Sequence, residues 1–316
     1  MKPASRDKLT QQAAKNPVAQ PGTKLTASVP KVSNIKLSWD VTDIVRAFLI
    51  YGAFGAGKST LAATASRYWP KEGLPTTKWG KKTPKVVLED MLFILTDPFD
   101  PLGGLRERGI AVPCFDVNAW IKEKPGRTAL DAIAATYEEA ARFVTGGGKW
   151  LVHDTVTSWD SLLEAYCRKN MPLSKGGKDD SRRMYGMLYQ YNLKIHHLAV
   201  GLGINIIYNA HYKSSIDFGE LTPAQLAAAK ATQSAGGIAA ILPAITGKAQ
   251  AAYKGGSTFV LALVKQVAPG SKGSSRKLYT IATTEMEAKN RYELSLPPIM
   301  EADMREVLRL INGGEQ

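Results

Sequence analysis

Cysteine is scarce in this 316-residue sequence, which holds only Cys114 and Cys167, far apart. Two such thiols exclude a disulfide framework and fit a reducing compartment, with both side chains expected to be buried. No Cys/His spacing suggests zinc: His196 and His197 are adjacent and diverge on a helix, and His153 stands alone. No apolar run reaches the roughly 18 residues needed to span a bilayer, so no membrane contact is expected. The N-terminus is polar and lacks the apolar stretch of a secretory signal, which predicts a cytoplasmic location. Acidic residues are also in deficit, 28 Asp and Glu against 41 Lys and Arg, a net charge of +13. An excess of that size points to a polyanionic partner, nucleic acid being the usual one. The positive charge is spread, from Lys2, Arg6 and Lys8 through Lys78–Lys85 and Arg182–Arg183 to Lys272–Lys277.

What is present has the rhythm of an α/β domain. Residues 1–34 are rich in Lys, Gln, Pro, Ala and Ser without an apolar period and read as a flexible basic arm. The core is expected over 35–300, with a C-terminal helix and tail over 301–316. Short apolar runs at Val45–Tyr51, Met91–Thr96, Ile110–Phe115, Trp150–His153, Ile204–Asn209, Thr258–Val264 and Leu278–Thr283 predict strands. Helical patterns at Lys58–Trp69, Thr128–Val144 (Thr128 as N-cap), Trp159–Lys169, Met184–Val200 and Met304–Ile311 alternate with them. Polar stretches over 71–85 and 174–183 are surface excursions, and 213–237 is a loop region with a short Ala-rich helix. Strands alternating with helices imply βαβ units and a mainly parallel sheet with helices on both faces.

One motif is specific by itself. Gly52-Ala53-Phe54-Gly55-Ala56-Gly57-Lys58-Ser59 fits G-x-x-x-x-G-K-[ST], placed between an apolar strand and an Ala-rich helix. Glycines let the backbone turn so that its N–H groups form an anion nest, and the helix N-terminus behind it favours negative charge. Phosphates of a nucleotide are the expected ligand, held by residues Gly52 to Ser59 together with Thr60. Lys58 is placed to reach the β- and γ-phosphates and Ser59 to offer its hydroxyl to Mg²⁺. A second metal-side carboxylate belongs at the end of a neighbouring strand, and Lys149-Trp150-Leu151-Val152-His153-Asp154 supplies Asp154, acting through water. Asp154 also suits a helix N-cap. No guanine-reading N-K-x-D is present, which favours ATP over GTP.

Taken in order, five segments resemble the RecA-like ATPases. They are LIYGAFGAGKSTLAATA (Leu49 to Ala65), FILTDPFDPLGGLRERG (Phe93 to Gly109), KWLVHDTVTSW (Lys149 to Trp159), NIIYNAHYKS (Asn205 to Ser214) and EAKNRYELSLP (Glu287 to Pro297). More narrowly, they are similar to phage-encoded nucleotide-binding proteins related to RecA, some of which serve single-strand annealing and recombination. The resemblance implies a RecA-like P-loop α/β fold, ATP hydrolysis dependent on single-stranded DNA, and homo-oligomers in rings or filaments. It implies that Asp97 orients the attacking water, where the family more often has Glu. Asp97 before Pro98 also suits a turn, with Asp100 and Glu89 as fallbacks. It further implies that His211 senses the γ-phosphate, and that the segment after it, with Tyr212, Lys213 and Phe218, contacts DNA. Lys289 and Arg291 are implied to reach the nucleotide of an adjacent subunit. A nucleotide-gated DNA-binding module with little turnover and a helicase or translocase motor stay open as alternatives.

Overall fold

The run Ala47–Gly52 forms β1, and its alternate residues enter two different cores. Phe48 and Ile50 pack on one face with Leu61 and Ala62 of α1 (Lys58–Ala63), while Ala47, Leu49 and Tyr51 pack on the other. A strand buried on both faces must be apolar at every position, which is why it reads as an unbroken run rather than an alternation. The computed structural model describes residues 45–70, 86–170, 181–214, 241–267, 274–283, 287–290 and 296–314. The chain divides into Met1–Asp40 and Val41–Gln316, and all described residues belong to the second unit. The arm over 1–34, the excursion over 71–85, most of the 174–183 insertion and the Ala-rich stretch lie outside the described residues.

After α1 come β2 (Val86–Val87), β3 (Met91–Leu95), α2 (Gly103–Arg106), β4 (Ile110–Ala111), β5 (Cys114–Asp116), α3 (Val117–Glu123) and α4 (Ala129–Thr145). Then follow β6 (Trp150–Asp154), α5 (Val156–Asn170), α6 (Ser181–Gly201), β7 (Asn205–Ser214), β8 (Ile241–Pro243) and α7 (Gly247–Gly256). The chain ends with β9 (Phe259–Val267), β10 (Ser274–Tyr279), β11 (Lys289–Asn290), β12 (Ile299–Glu301) and α8 (Met304–Ile311). The main sheet runs β12-β10-β9-β1-β7-β6-β3-β5. From β9 to β5 every neighbouring pair is parallel; β10, β12, β11 and β8 add antiparallel edges. β1 therefore sits with later strands on both sides, a topological switch point, and ligands of such sheets bind beyond the carboxyl ends of the strands there.

Helices cover both faces. Residues of α3, α4, α5, α6 and α7 share a core with Leu151, Ile206 and Tyr208. α1, α2 and α8 share the other with Phe93, Val152, Leu261 and Leu263. The expected N-cap holds: Thr128 and Asp131 form a reciprocal capping box at α4, and Gly146 closes it.

Several boundaries differ from expectation. α1 stops at Ala63 rather than Trp69, because Ser66 and the Arg67 amide turn to bond the buried Asp90. The strand expected over Ile110–Phe115 is two, since Pro113 lies between β4 and β5. β7 runs to Ser214, well past Asn209, because its far end pairs with β8. Cys114 is exposed, contrary to the expected burial, while Cys167 is buried in the core. No helix among the described residues is long and apolar enough to cross a membrane.

Candidate nucleotide site

The sheet pleat decides which side chains meet at the loop. On β6, Trp150 and Val152 face the α1 side, so Asp154 does too, and His153 faces away. His153 is fully buried against Tyr137 and Tyr208, and burial, helped by His196, lowers its pKa to about 3. On β7, Ile207 faces α1, which carries Asn209 and His211 to the same side and Tyr212 to the other. Beyond the end of β3, where Phe93 and Leu95 face α1, Asp97 continues that alternation.

β1 ends at Gly52, the chain turns through Ala53–Gly57, and α1 begins at Lys58. Gly55 and Gly57 carry the turn, with φ of 71° and 96°. Gly52 has another role: it is extended strand, and a Cβ there would lie 2.5 Å from the Leu263 carbonyl oxygen of β9. Lys58 is buried. Its ammonium donates to the carbonyls of Gly52 (3.1 Å) and Ala53 (2.9 Å) and lies 3.4 Å from His211 Nδ1. Burial lowers its pKa to about 8, against the pull of the Asp154 and Asp97 carboxylates.

Ser59 Oγ donates to Asp154 Oδ2 at 2.5 Å. Burial pushes the Asp154 carboxyl up; Ser59, the Asn209 amide and Lys58 ease it back, and Asp97 adds repulsion. Asn209 is fully buried, pairs in register with Asp154, and neither of its amide atoms has a partner in full hydrogen-bond geometry. Asp97 uses both oxygens: Oδ2 lies 3.1 Å from His211 Nε2, and Oδ1 accepts from the Phe99 amide at 3.3 Å. Asp97 thus makes the turn contact expected before Pro98 and also lines the cavity beside His211. With Nε2–H donating to Asp97, His211 Nδ1 is left to accept from Lys58, and the His211 amide donates to Thr157 Oγ1 at 2.9 Å.

Lys58, Ser59, Asp97, Asp154 and His211 line one cavity of about 280 Å³ with Phe54, Gly55, Gly57, Thr60, Phe99, Asp100, Arg108, Thr155 and Arg276. Phe54 and Phe99 are exposed on its lip, edge to face with centroids 6.0 Å apart. A strand order that puts β7 between the loop strand and the Asp154 strand, on a mainly parallel sheet helical on both faces, decides the fold. It is a RecA-like P-loop fold. No protein-family model matches the chain, and no curated protein matches it. Among solved structures, a KaiC-like protein from the hyperthermophilic archaeon Pyrococcus horikoshii OT3 is similar over 81% of this chain and 88% of that one, at 14% identity and a TM-score of 0.33.

Within this RecA-like frame Asp100 also lines the cavity, whereas Glu89, Tyr212, Lys213 and Lys289 do not. Asp100 is taken up by the Leu102 amide (3.1 Å) and Arg106 (2.8 Å), and Glu89 is exposed in the turn before β3. Tyr212 and Lys213 are not on a loop but on β7, paired with Pro243 and Leu242; Phe218 and Arg291 lie outside the described residues. Lys289 does not line the cavity. Its ammonium donates to the carbonyls of Lys254 (2.9 Å) and Ser257 (3.1 Å) at the end of α7, a cation at a helix C-terminus. Asn209 and Arg276 were missed in the sequence. Asn209 was legible as the residue two before His211 on the same strand face; Arg276 left no signal.

Mg²⁺ fits the donors present. Ser59 and Asp154 offer hard oxygens side by side, with the buried Asn209 amide against Asp154. Among the described residues no three His, Cys, Asp or Glu side chains cluster to cage a metal.

Proposed function

We propose that this protein binds ATP with Mg²⁺ at Gly52–Thr60 and hydrolyses it, using nucleotide state to control its hold on single-stranded DNA. One observation carries the nucleotide part: Lys58, Ser59, Asp97, Asp154 and His211, from three strands or their ends and one helix, converge on a single cavity at an anion-binding loop. The loop amides and the α1 N-terminus receive the phosphates. Lys58 leaves the carbonyls of Gly52 and Ala53 to meet the β- and γ-phosphates, so its charge is already stored at the place of use. Ser59 would hold Mg²⁺ directly and Asp154 through water; the ion supplies charge neutralisation on the phosphates. Asp97 orients and accepts a proton from the attacking water. Its tie to His211, and His211's to Lys58, link the γ-phosphate position to β7. His211 is thereby the residue that reports the phosphate to the segment following β7.

The DNA part is supported by the net charge of +13 and by Tyr212, 43% exposed at the end of the same strand as His211. The test is steady-state ATP hydrolysis with and without single-stranded DNA at two salt concentrations. Stimulation that fades as salt rises is expected. Tight ATP binding without turnover would replace hydrolysis by nucleotide-gated binding, and no effect of DNA would remove the DNA part.

A further inference from the structure

Arg276 enters the cavity from the side of the sheet opposite the acidic cluster. β10, its strand, lies two places from β1 beyond β9, whereas β7, β6 and β3 lie on the other side of β1. Leu278, two residues on, is in the α1-side core, so the pleat sends Arg276 to the same face as the loop. There its guanidinium rests on Gly57: a Cβ at that glycine would be 2.8 Å from Arg276 Nε and 3.1 Å from Cζ. Gly57 thus serves both its left-handed turn and this close approach. Arg276 Nε is buried without a hydrogen-bond partner, and no carboxylate among the described residues pairs with the side chain. Its neighbour Lys277 has Glu301, and Arg305 has Asp303. A guanidinium kept against an anion-binding loop, with a buried donor unmet, is built for an anionic acceptor that arrives with the ligand.

We infer that Arg276 is a nucleotide contact made within the same chain, to the α- and β-phosphates and not to the γ-phosphate. The inference rests on reading Gly52–Ser59 as a triphosphate site. The γ-phosphate end is marked by Lys58, Asp97, Asp154 and His211, from the first residue of α1, the segment after β3, β6 and β7. Arg276 closes the other end, over Gly57 of the loop whose amides take the α- and β-phosphates. The Arg276 contact is common to ATP and ADP and equal in ground and transition states. It therefore strengthens binding without accelerating hydrolysis.

Calorimetric titration of the full chain with Mg²⁺-ATP and Mg²⁺-ADP tests this in wild type, Arg276→Gln and Lys58→Ala, with kcat and KM alongside. Arg276→Gln is expected to weaken ATP and ADP by similar factors, roughly tenfold to a hundredfold, and to raise KM with kcat within about twofold. Lys58→Ala is expected to weaken ATP more than ADP. Unchanged affinity for both nucleotides in a folded Arg276→Gln overturns the inference, and so does a loss confined to ATP. Arg276→Met, which keeps an unbranched stem against Gly57, repeats the comparison if Arg276→Gln fails to fold. A wild type that binds neither nucleotide sinks the site reading itself, a result distinct from either.

Discussion

Replacing Gly52 by Ala adds one methyl at the point where β1 runs into the loop. The new Cβ would stand 2.5 Å from the Leu263 carbonyl oxygen and 3.3 Å from Leu263 Cβ. Ordinary contact begins near 3.4 Å, so one central strand end must move by about 0.9 Å, and the obstacle is backbone rather than a side-chain tip that can swing. Overpacking of this kind costs about 1–3 kcal/mol. In a domain of this size that lowers Tm by about 3–9 °C. The displacement also falls on the carbonyls that hold Lys58, so ATP affinity is expected to drop by about tenfold or more, since shifts under 1 Å at a positioned site already matter. Gly186→Ala is the control: it lies in α6 with open space around the added methyl, and should be neutral or stabilise by about 0.5–1 kcal/mol. Thermal melts and nucleotide titration of both variants decide the matter. A Gly52→Ala protein with wild-type Tm and wild-type ATP affinity would refute the argument that close approach to β9 requires glycine there.

Three further outcomes are expected. Free Lys58 titrates at about pH 8 because burial lowers its pKa, and bound phosphates favour the charged form. ATP affinity should thus be level up to about pH 8 and fall above it, with uptake of about half a proton per binding event at pH 8, read by calorimetry in two buffers of different ionisation heat. Asp97→Asn should keep ATP affinity but cut kcat by about 10²–10⁴, measured in a coupled hydrolysis assay. Thr128→Ala removes one half of the capping box of α4 and should cost about 1 kcal/mol in a denaturant melt without changing ATP affinity.

The loop, its strand and Asp154 were legible because the chemistry that binds phosphate needs fixed residue types at fixed spacing, and buried parallel strands need continuous apolar runs. Thr128 and Gly146 marked α4 for the same local reason. Asp97 and His211 came from resemblance rather than from spacing; their mutual bond depends on two strands two places apart in the sheet and far apart in sequence. Arg276 was invisible since nothing local tells which of many basic residues a β9–β10 pairing will lay over Gly57. The extent of β7 was misjudged because Tyr212 and Lys213 are polar enough to read as loop, and only pairing with β8 makes them strand. α7 escaped notice: Gly247, Gly255 and Gly256 within ten residues weaken its helical signal, while Ala249 and Tyr253 bury it all the same.

The central claim is that the cavity at Gly52–Ser59 holds Mg²⁺-ATP through Lys58 and the Ser59–Asp154 pair. Calorimetric titration of ATP into wild type, Lys58→Ala and Asp154→Asn, each with Mg²⁺ and with a chelator, tests it most directly. Saturable binding by wild type is predicted, weakened by about tenfold to a hundredfold in Lys58→Ala, with Asp154→Asn binding alike with and without Mg²⁺. Wild-type affinity and Mg²⁺ dependence in both variants would contradict it.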